Sequence, residues 1–184
     1  MVLPIARSRD EVDLYLSLHP CERCQTADAD WRMSTARDGD GRRICRYQGA
    51  CRRCQAAREF TFLVPERPAV PGPDDLIFFG GPEPSRLFDA GEWRLISDAG
   101  IHEGGAPPSH GPAAERRRAF TLGVAALAEV LKFIPDGAEA VPESAFWTPH
   151  GRAAYDQHPD RFTRDYVQRR LDQFRDELEA RFPD

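Results

Sequence analysis

The sequence predicts an α+β fold: an antiparallel sheet near the N-terminus, packed on a predominantly α-helical C-terminal half. Three observations predict it. Two Cys-x-x-Cys pairs, Cys21-Glu22-Arg23-Cys24 and Cys51-Arg52-Arg53-Cys54, flank a stretch with hairpin patterning. Beyond Pro65 the apolar residues recur at helical spacing. Many of the 16 prolines and 14 glycines cluster between Pro65 and Pro112, so that stretch is expected to be rich in loops. The expected division is 1–64, a short helix plus ribbon, and 65–184, a loop-rich linker and helical region. The two could also share one compact unit.

In chain order, Ser8 followed by Glu11 makes a capping box, and Val12, Leu14, Tyr15, Leu16 and Leu18 suggest a helix from about Arg9 to Leu18. Pro20 ends it. A strand around Trp31–Ala36 leads to the turn signal Asp38-Gly39-Asp40-Gly41, and a return strand runs from Arg43 to Gln48. A third strand, Glu59–Val64, follows the second cysteine pair. Leu76-Ile77-Phe78-Phe79 reads as a short buried strand stopped by Gly80-Gly81-Pro82. Asp89 can cap a helix through Trp93 and Ile96 to about Ala99, with Gly100 as its stop. Ala113–Ile134 is the longest helical pattern, with Phe120, Val124, Leu127, Leu131 and Ile134 on one stripe. Thr148-Pro149 opens a short helix through Tyr155, and a last helix starts near Thr163.

The cysteines carry the specific chemistry. Two x₂ pairs supply four thiolates in two knuckles, the donor set of a tetrahedral zinc ion, so Cys21, Cys24, Cys51 and Cys54 are the expected metal ligands. The 26 residues between the pairs, Gln25 to Ala50, exceed the commonest module spacing, and a hairpin absorbs the excess. Four protein ligands leave no coordination position for water, which makes such a site structural. Knuckles favour Gly after the second cysteine, where φ is often positive, yet Gln25 and Gln55 stand there. Cys45 is a spare thiol that reads as a small apolar residue of the second strand. His19, beside the first knuckle, reads as a hydrogen-bond donor near the site. A substitute-ligand role for either stays open.

Other constellations are incomplete. Pro20-Cys21-x-x-Cys24 matches the second half of the zinc deaminase signature, but no His-x-Glu or Cys-x-Glu precedes it. His102 with Glu103, His110, His150 and His158 form no metal-type spacing, and Ser85, Ser97, Ser109 and Ser144 lack a nucleophile-elbow context. No complete catalytic set is visible. An enzyme with a pocket between ribbon and helices, using His102 or His110, is the third-ranked expectation.

Charge bears on partners. Residues 65–184 carry 14 basic against 21 acidic side chains, an acidic half suited to a partner with a basic surface. Arg42, Arg43, Arg46, Arg52, Arg53 and Arg58 crowd the ribbon, and with Trp31 and Tyr47 they could form a face for single-stranded nucleic acid. Lys132 is the sole lysine and asparagine is absent, so codon bias in a high-GC bacterial genome explains the arginine excess better. The N-terminus shows no secretory pattern, and no window approaches the ~20 apolar residues of a membrane span. Five cysteines, four of them in metal spacing, point to reduced thiols and a cytoplasmic location.

The runs LYLSLHPCERC, YQGACRRCQAAREFTFLVP, PSRLFDAGEW and AFWTPHGRAAY resemble those of uncharacterised zinc-ribbon proteins of high-GC actinobacteria. The resemblance covers most of the chain in patches, and only the four cysteines carry over as functional residues. Such proteins can be encoded among polymorphic-toxin or secretion-linked genes, which implies an immunity or adaptor role. The leading expectation is therefore a non-enzymatic zinc-binding protein that acts by binding another protein, such as a bacterial toxin. Nucleic-acid binding through the ribbon is the alternative.

Overall fold

The computed structural model describes residues 3–73 and 76–183. Five α-helices and one three-stranded antiparallel sheet lie among them, an α+β fold. The chain divides into two compact units, Met1–Gly81 and Pro82–Asp184, so residues 65–81 go with the sheet.

In the first unit, α1 spans Arg9–Leu18. Ser8 caps it, its side chain accepting from the Glu11 backbone N–H at 3.1 Å. Glu11 is fully buried and reaches back one residue further than a capping box, accepting from the Arg7 backbone N–H at 2.7 Å and from the Arg7 guanidinium at 2.7 and 3.0 Å. A buried carboxylate is tolerable there because a charge-assisted fork satisfies it. The strands are β1, Ala29–Arg37, β2, Arg43–Cys51, and β3, Ala57–Leu63, in the order β1-β2-β3. The predicted turn joins β1 to β2: Asp38 Oδ1 accepts from the Asp40 and Arg42 backbone N–H groups, and Gly41 takes φ 78°.

Register sorts the side chains. Met33 pairs with Tyr47 and Tyr47 with Phe60; Thr35 pairs with Cys45 and Cys45 with Phe62. On this face Phe62 and Tyr47 are buried, and Tyr15 of α1 meets Phe60 and Phe62 edge-on at 6.0 and 5.4 Å. The opposite face carries Arg32, Gln48 and Glu59 in one row and is solvated.

The expected strand at Leu76–Phe79 does not form. Phe79 is buried, but Leu76 is 71% exposed, and the Phe78 N–H donates to Asp10 Oδ2 at 2.8 Å instead of to a ladder. The Leu63 end of the β3 edge is taken instead by the N-terminal segment. Ile5 bridges Leu63 in parallel, with Ala6 N–H donating to Leu63 C=O and Leu63 N–H to Pro4 C=O.

The second unit holds α2, Ala90–Gly104; α3, Ala113–Leu131; α4, Pro149–Gln157; and α5, Arg164–Arg181. Trp93, Phe120, Leu127, Phe162, Val167 and Leu171 fill its core. Gly100 does not stop α2, which continues one turn further. A Cβ at Gly100 would lie 2.7 Å from Ala119 O and 2.8 Å from Gly123 N. That glycine serves the close approach of α2 to α3, a use that outweighs its poor helix propensity.

Candidate metal centre

The four predicted cysteines converge. Their Sγ atoms all lie within 4.8 Å of one another, with Cys21–Cys54 at 3.6 Å and Cys24–Cys51 at 3.4 Å. A tetrahedral ion holding thiolates at ~2.3 Å has sulfur–sulfur edges of about 3.8 Å. The observed cluster brackets that edge, so the donor set fits a metal ion. One contact pair runs from the first cysteine of one knuckle to the second cysteine of the other, and the second pair mirrors it.

The two knuckles repeat each other in three hydrogen bonds. Cys21 N–H donates to Thr26 C=O at 2.8 Å, and Cys51 N–H to Ala56 C=O at 2.9 Å. Gln25 N–H donates to Cys21 C=O at 2.7 Å, and Gln55 N–H to Cys51 C=O at 2.8 Å. Both glutamines adopt the left-handed conformation, with φ 60° and 58°. Their side chains also act: Gln25 Nε2 donates to Glu22 C=O at 3.2 Å and Gln55 Nε2 to Arg52 C=O at 3.3 Å. A glycine could supply the φ but not this second bond. The sequence pattern showed the departure from glycine; it did not show that the amide closes the turn.

Electrostatics favour a cation. The Arg23 N–H, opposed by burial and helped by the Cys24 N–H, holds the Cys21 thiol below its ordinary range. Burial pushes the Cys51 thiol up, but the Cys54 N–H, the Cys24 thiol and the Arg53 N–H outweigh it and bring Cys51 to about 6. Cys24 goes the other way. The Thr26 N–H favours its thiolate, yet burial and the three neighbouring sulfurs push it up to about 12. One thiol of each knuckle is thus shifted toward its thiolate, while Cys24 resists further negative charge. A bound divalent ion removes that resistance and expels the remaining protons.

The other singled-out residues lie outside the cluster. Cys45 is buried in β2, opposite Thr35 and Phe62. His19 places Nδ1 2.7 Å from Tyr15 C=O and stacks its ring on Tyr15 at 3.7 Å. His102, His110, His150 and His158 enter no metal-type group among the described residues. Four of the six arginines expected to form a basic face are engaged internally. Arg42 pairs with Asp38 at 2.7 Å, Arg46 with Glu59 at 3.4 Å, and Arg52 with Asp30 at 2.6 Å. Arg58 lies over Trp31 at 4.9 Å and donates to the His19 and Ala27 carbonyls, while Tyr47 is only 6% exposed.

Sequence reasoning missed one feature. A groove of about 460 Å³ opens between α1 and β1, lined by Leu16, Ala27, Ala29 and Trp31 with Asp13 and Asp28. Its signal was faint, since it needs α1 to cover β2 and β3 more fully than β1. No helix among the described residues is long and apolar enough to cross a membrane. No family model matches the chain, and neither does any curated protein or solved structure at a significant level.

Proposed function

We propose that Cys21, Cys24, Cys51 and Cys54 hold one structural zinc ion, and that the protein acts by binding another protein rather than by catalysis. The observation that carries the metal reading is the four-sulfur cluster, with all Sγ atoms within 4.8 Å and two matching knuckles around it. An all-thiolate set suits zinc, and four protein donors leave no open position for a reacting water. The ion would tie the two knuckles together at the Cys51 end of β2.

The reading of the partner rests on charge. The acidic excess beyond residue 64 complements a basic surface, as an inhibitor of a bacterial toxin acting on nucleic acid requires. Internal pairing of Arg42, Arg46 and Arg52, together with burial of Tyr47, weighs against the nucleic-acid alternative.

Elemental analysis and native pull-down test the two parts separately. Protein prepared without chelator should carry one zinc per chain, and Cys51→Ser should abolish it while Cys45→Ser does not. Tagged protein recovered from the native host should bring down a basic partner that elutes at raised salt. Absence of stoichiometric zinc ends the metal reading. A partner with an acidic contact face, or salt-insensitive binding, ends the electrostatic one.

A further inference from the structure

Strand β1 uses only one of its edges. At the two ends of its ladder, Arg52 N–H donates to Asp28 C=O and Asp38 N–H to Arg42 C=O. Antiparallel pairing alternates every residue, so Asp30, Arg32, Ser34 and Ala36 turn their backbone groups toward β2. Ala29, Trp31, Met33, Thr35 and Arg37 therefore turn theirs outward. Among the described residues nothing pairs with that outer edge, whereas Pro4–Ala6 pair with the β3 edge at Leu63. Edge strands are normally blunted by proline, charged side chains, bulges or shortness. The nine residues of β1 contain no proline, its charges are of both signs (Asp30, Arg32, Arg37), and Met33 lies on it 55% exposed.

We propose that β1 pairs antiparallel with β1 of a second copy of this chain, about a two-fold axis through Trp31, to make a six-stranded sheet. Outward backbone groups require odd-numbered residues to face odd-numbered ones, which allows a two-fold at any residue of the strand, and side-chain charge selects among these. Centring on Asp30 or Arg32 sets a charge against itself, and centring on Ser34 sets Asp30 against the partner's Asp38. Centring on Ala29 sets Asp28 against the partner's Asp30 twice. Centring on Met33 leaves Arg32 opposite the partner's Ser34 and Asp30 opposite the partner's Ala36. Centring on Thr35 sets Arg32 against the partner's Asp38, whose side chain is only 14% exposed and held by Arg42 at 2.7 Å. Asp30, by contrast, though paired with Arg52 at 2.6 Å, is 68% exposed and can accept a second cation. Centring on Trp31 sets Asp30 opposite the partner's Arg32 and Arg32 opposite the partner's Asp30, two opposite-charge pairs on the solvated face. It also sets Met33 opposite the partner's Ala29. Ala29 and Trp31 line the groove between α1 and β1. The exposed Met33 of each copy thus meets the apolar groove of the other, a self-complementary arrangement of the kind a two-fold interface requires.

The test is the mass of the metal-loaded full chain, 20.7 kDa as a monomer, by sedimentation equilibrium across a wide range of concentration. A dimer is expected. Met33→Pro removes one outward N–H and the inserting side chain without touching the β1–β2 ladder, and should weaken association about tenfold or more. Asp30→Arg and Arg32→Asp should each weaken it by opposing like charges, and the double D30R/R32D variant should restore it. Metal content and circular dichroism of each variant report whether the sheet is intact. A monomer at every concentration overturns the proposal. So does a dimer that withstands Met33→Pro, or intact single and double charge variants that associate alike.

Discussion

Gln25 and Gln55 hold φ near 60°, a conformation that costs a side-chain-bearing residue ~1–2 kcal/mol relative to glycine. Each recovers part of that through the amide bond to its own knuckle, worth ~0.5–1.5 kcal/mol. Gln25→Gly should therefore be nearly neutral in urea denaturation of the metal-loaded protein. Gln25→Val, β-branched and unable to donate, should lose ~1–3 kcal/mol. Tyr47 supplies a pH dependence. Burial above all, with the Cys45 and Asp13 charges adding to it, raises its phenol to about 12 from the ordinary 10. The folded state then holds that proton more tightly than the unfolded chain does. Its contribution is complete below about pH 10 and is lost as pH rises toward 12. Cys45, raised by burial, adds to the same alkaline loss. Tyr47→Phe should flatten the fall of the urea midpoint across that window. An unchanged slope would mean the phenol is not what titrates.

Helix starts and crossings concentrate the sensitive positions of the second unit. Asp89, fully buried, caps α2 by accepting from Glu92 N–H at 2.8 Å. Its other oxygen accepts from the Thr148 N–H at 2.7 Å and the Thr148 hydroxyl at 2.9 Å, and Thr148 in turn caps α4. One carboxylate organises two helix N-termini. Asp89→Ala should cost ~2–4 kcal/mol, from a lost cap and stranded buried donors, read by thermal or urea denaturation. Gly100→Ala decides between two effects of opposite sign. Alanine gains ~1 kcal/mol of helix propensity, but its Cβ would press on the backbone of Ala119 and Gly123. Backbone cannot yield as a flexible side chain does, so a net loss of ~1–3 kcal/mol is expected. A stabilised Gly100→Ala protein would show that the α2–α3 approach is looser than described.

The molecule's division into two units predicts how it responds to loss of the proposed ion. The first unit closes its sheet with two knuckles whose sulfurs crowd together, and without a cation that crowding opposes folding. The second unit has its own aromatic core around Trp93, Phe120 and Phe162. Chelation should abolish the tertiary signal of the sheet residues while the helical circular dichroism of α2–α5 largely persists. Simultaneous loss of both would mean that one cooperative unit spans the chain. Cys54→Ser should reproduce the chelated state without chelator.

Local chemistry was readable in the residue order alone. The knuckles, the Asp38–Gly41 turn, the caps at Ser8, Asp89, Thr148 and Thr163, and the start of every helix follow from short-range sterics and hydrogen bonding, which a few neighbouring residues determine. The four ligand cysteines belong here too, because ligand spacing is a local constraint. The fate of Leu76–Phe79, the passage of α2 through Gly100, and the pairing of Arg46 and Arg52 depended on partners distant in sequence. A strand needs an edge that the fold brings alongside it, a glycine's role depends on what approaches it, and a charge's reach depends on which counter-charge the fold sets beside it. The open edge of β1 is of the same kind: its pattern is plain in the chain, but only packing leaves one side of it bare.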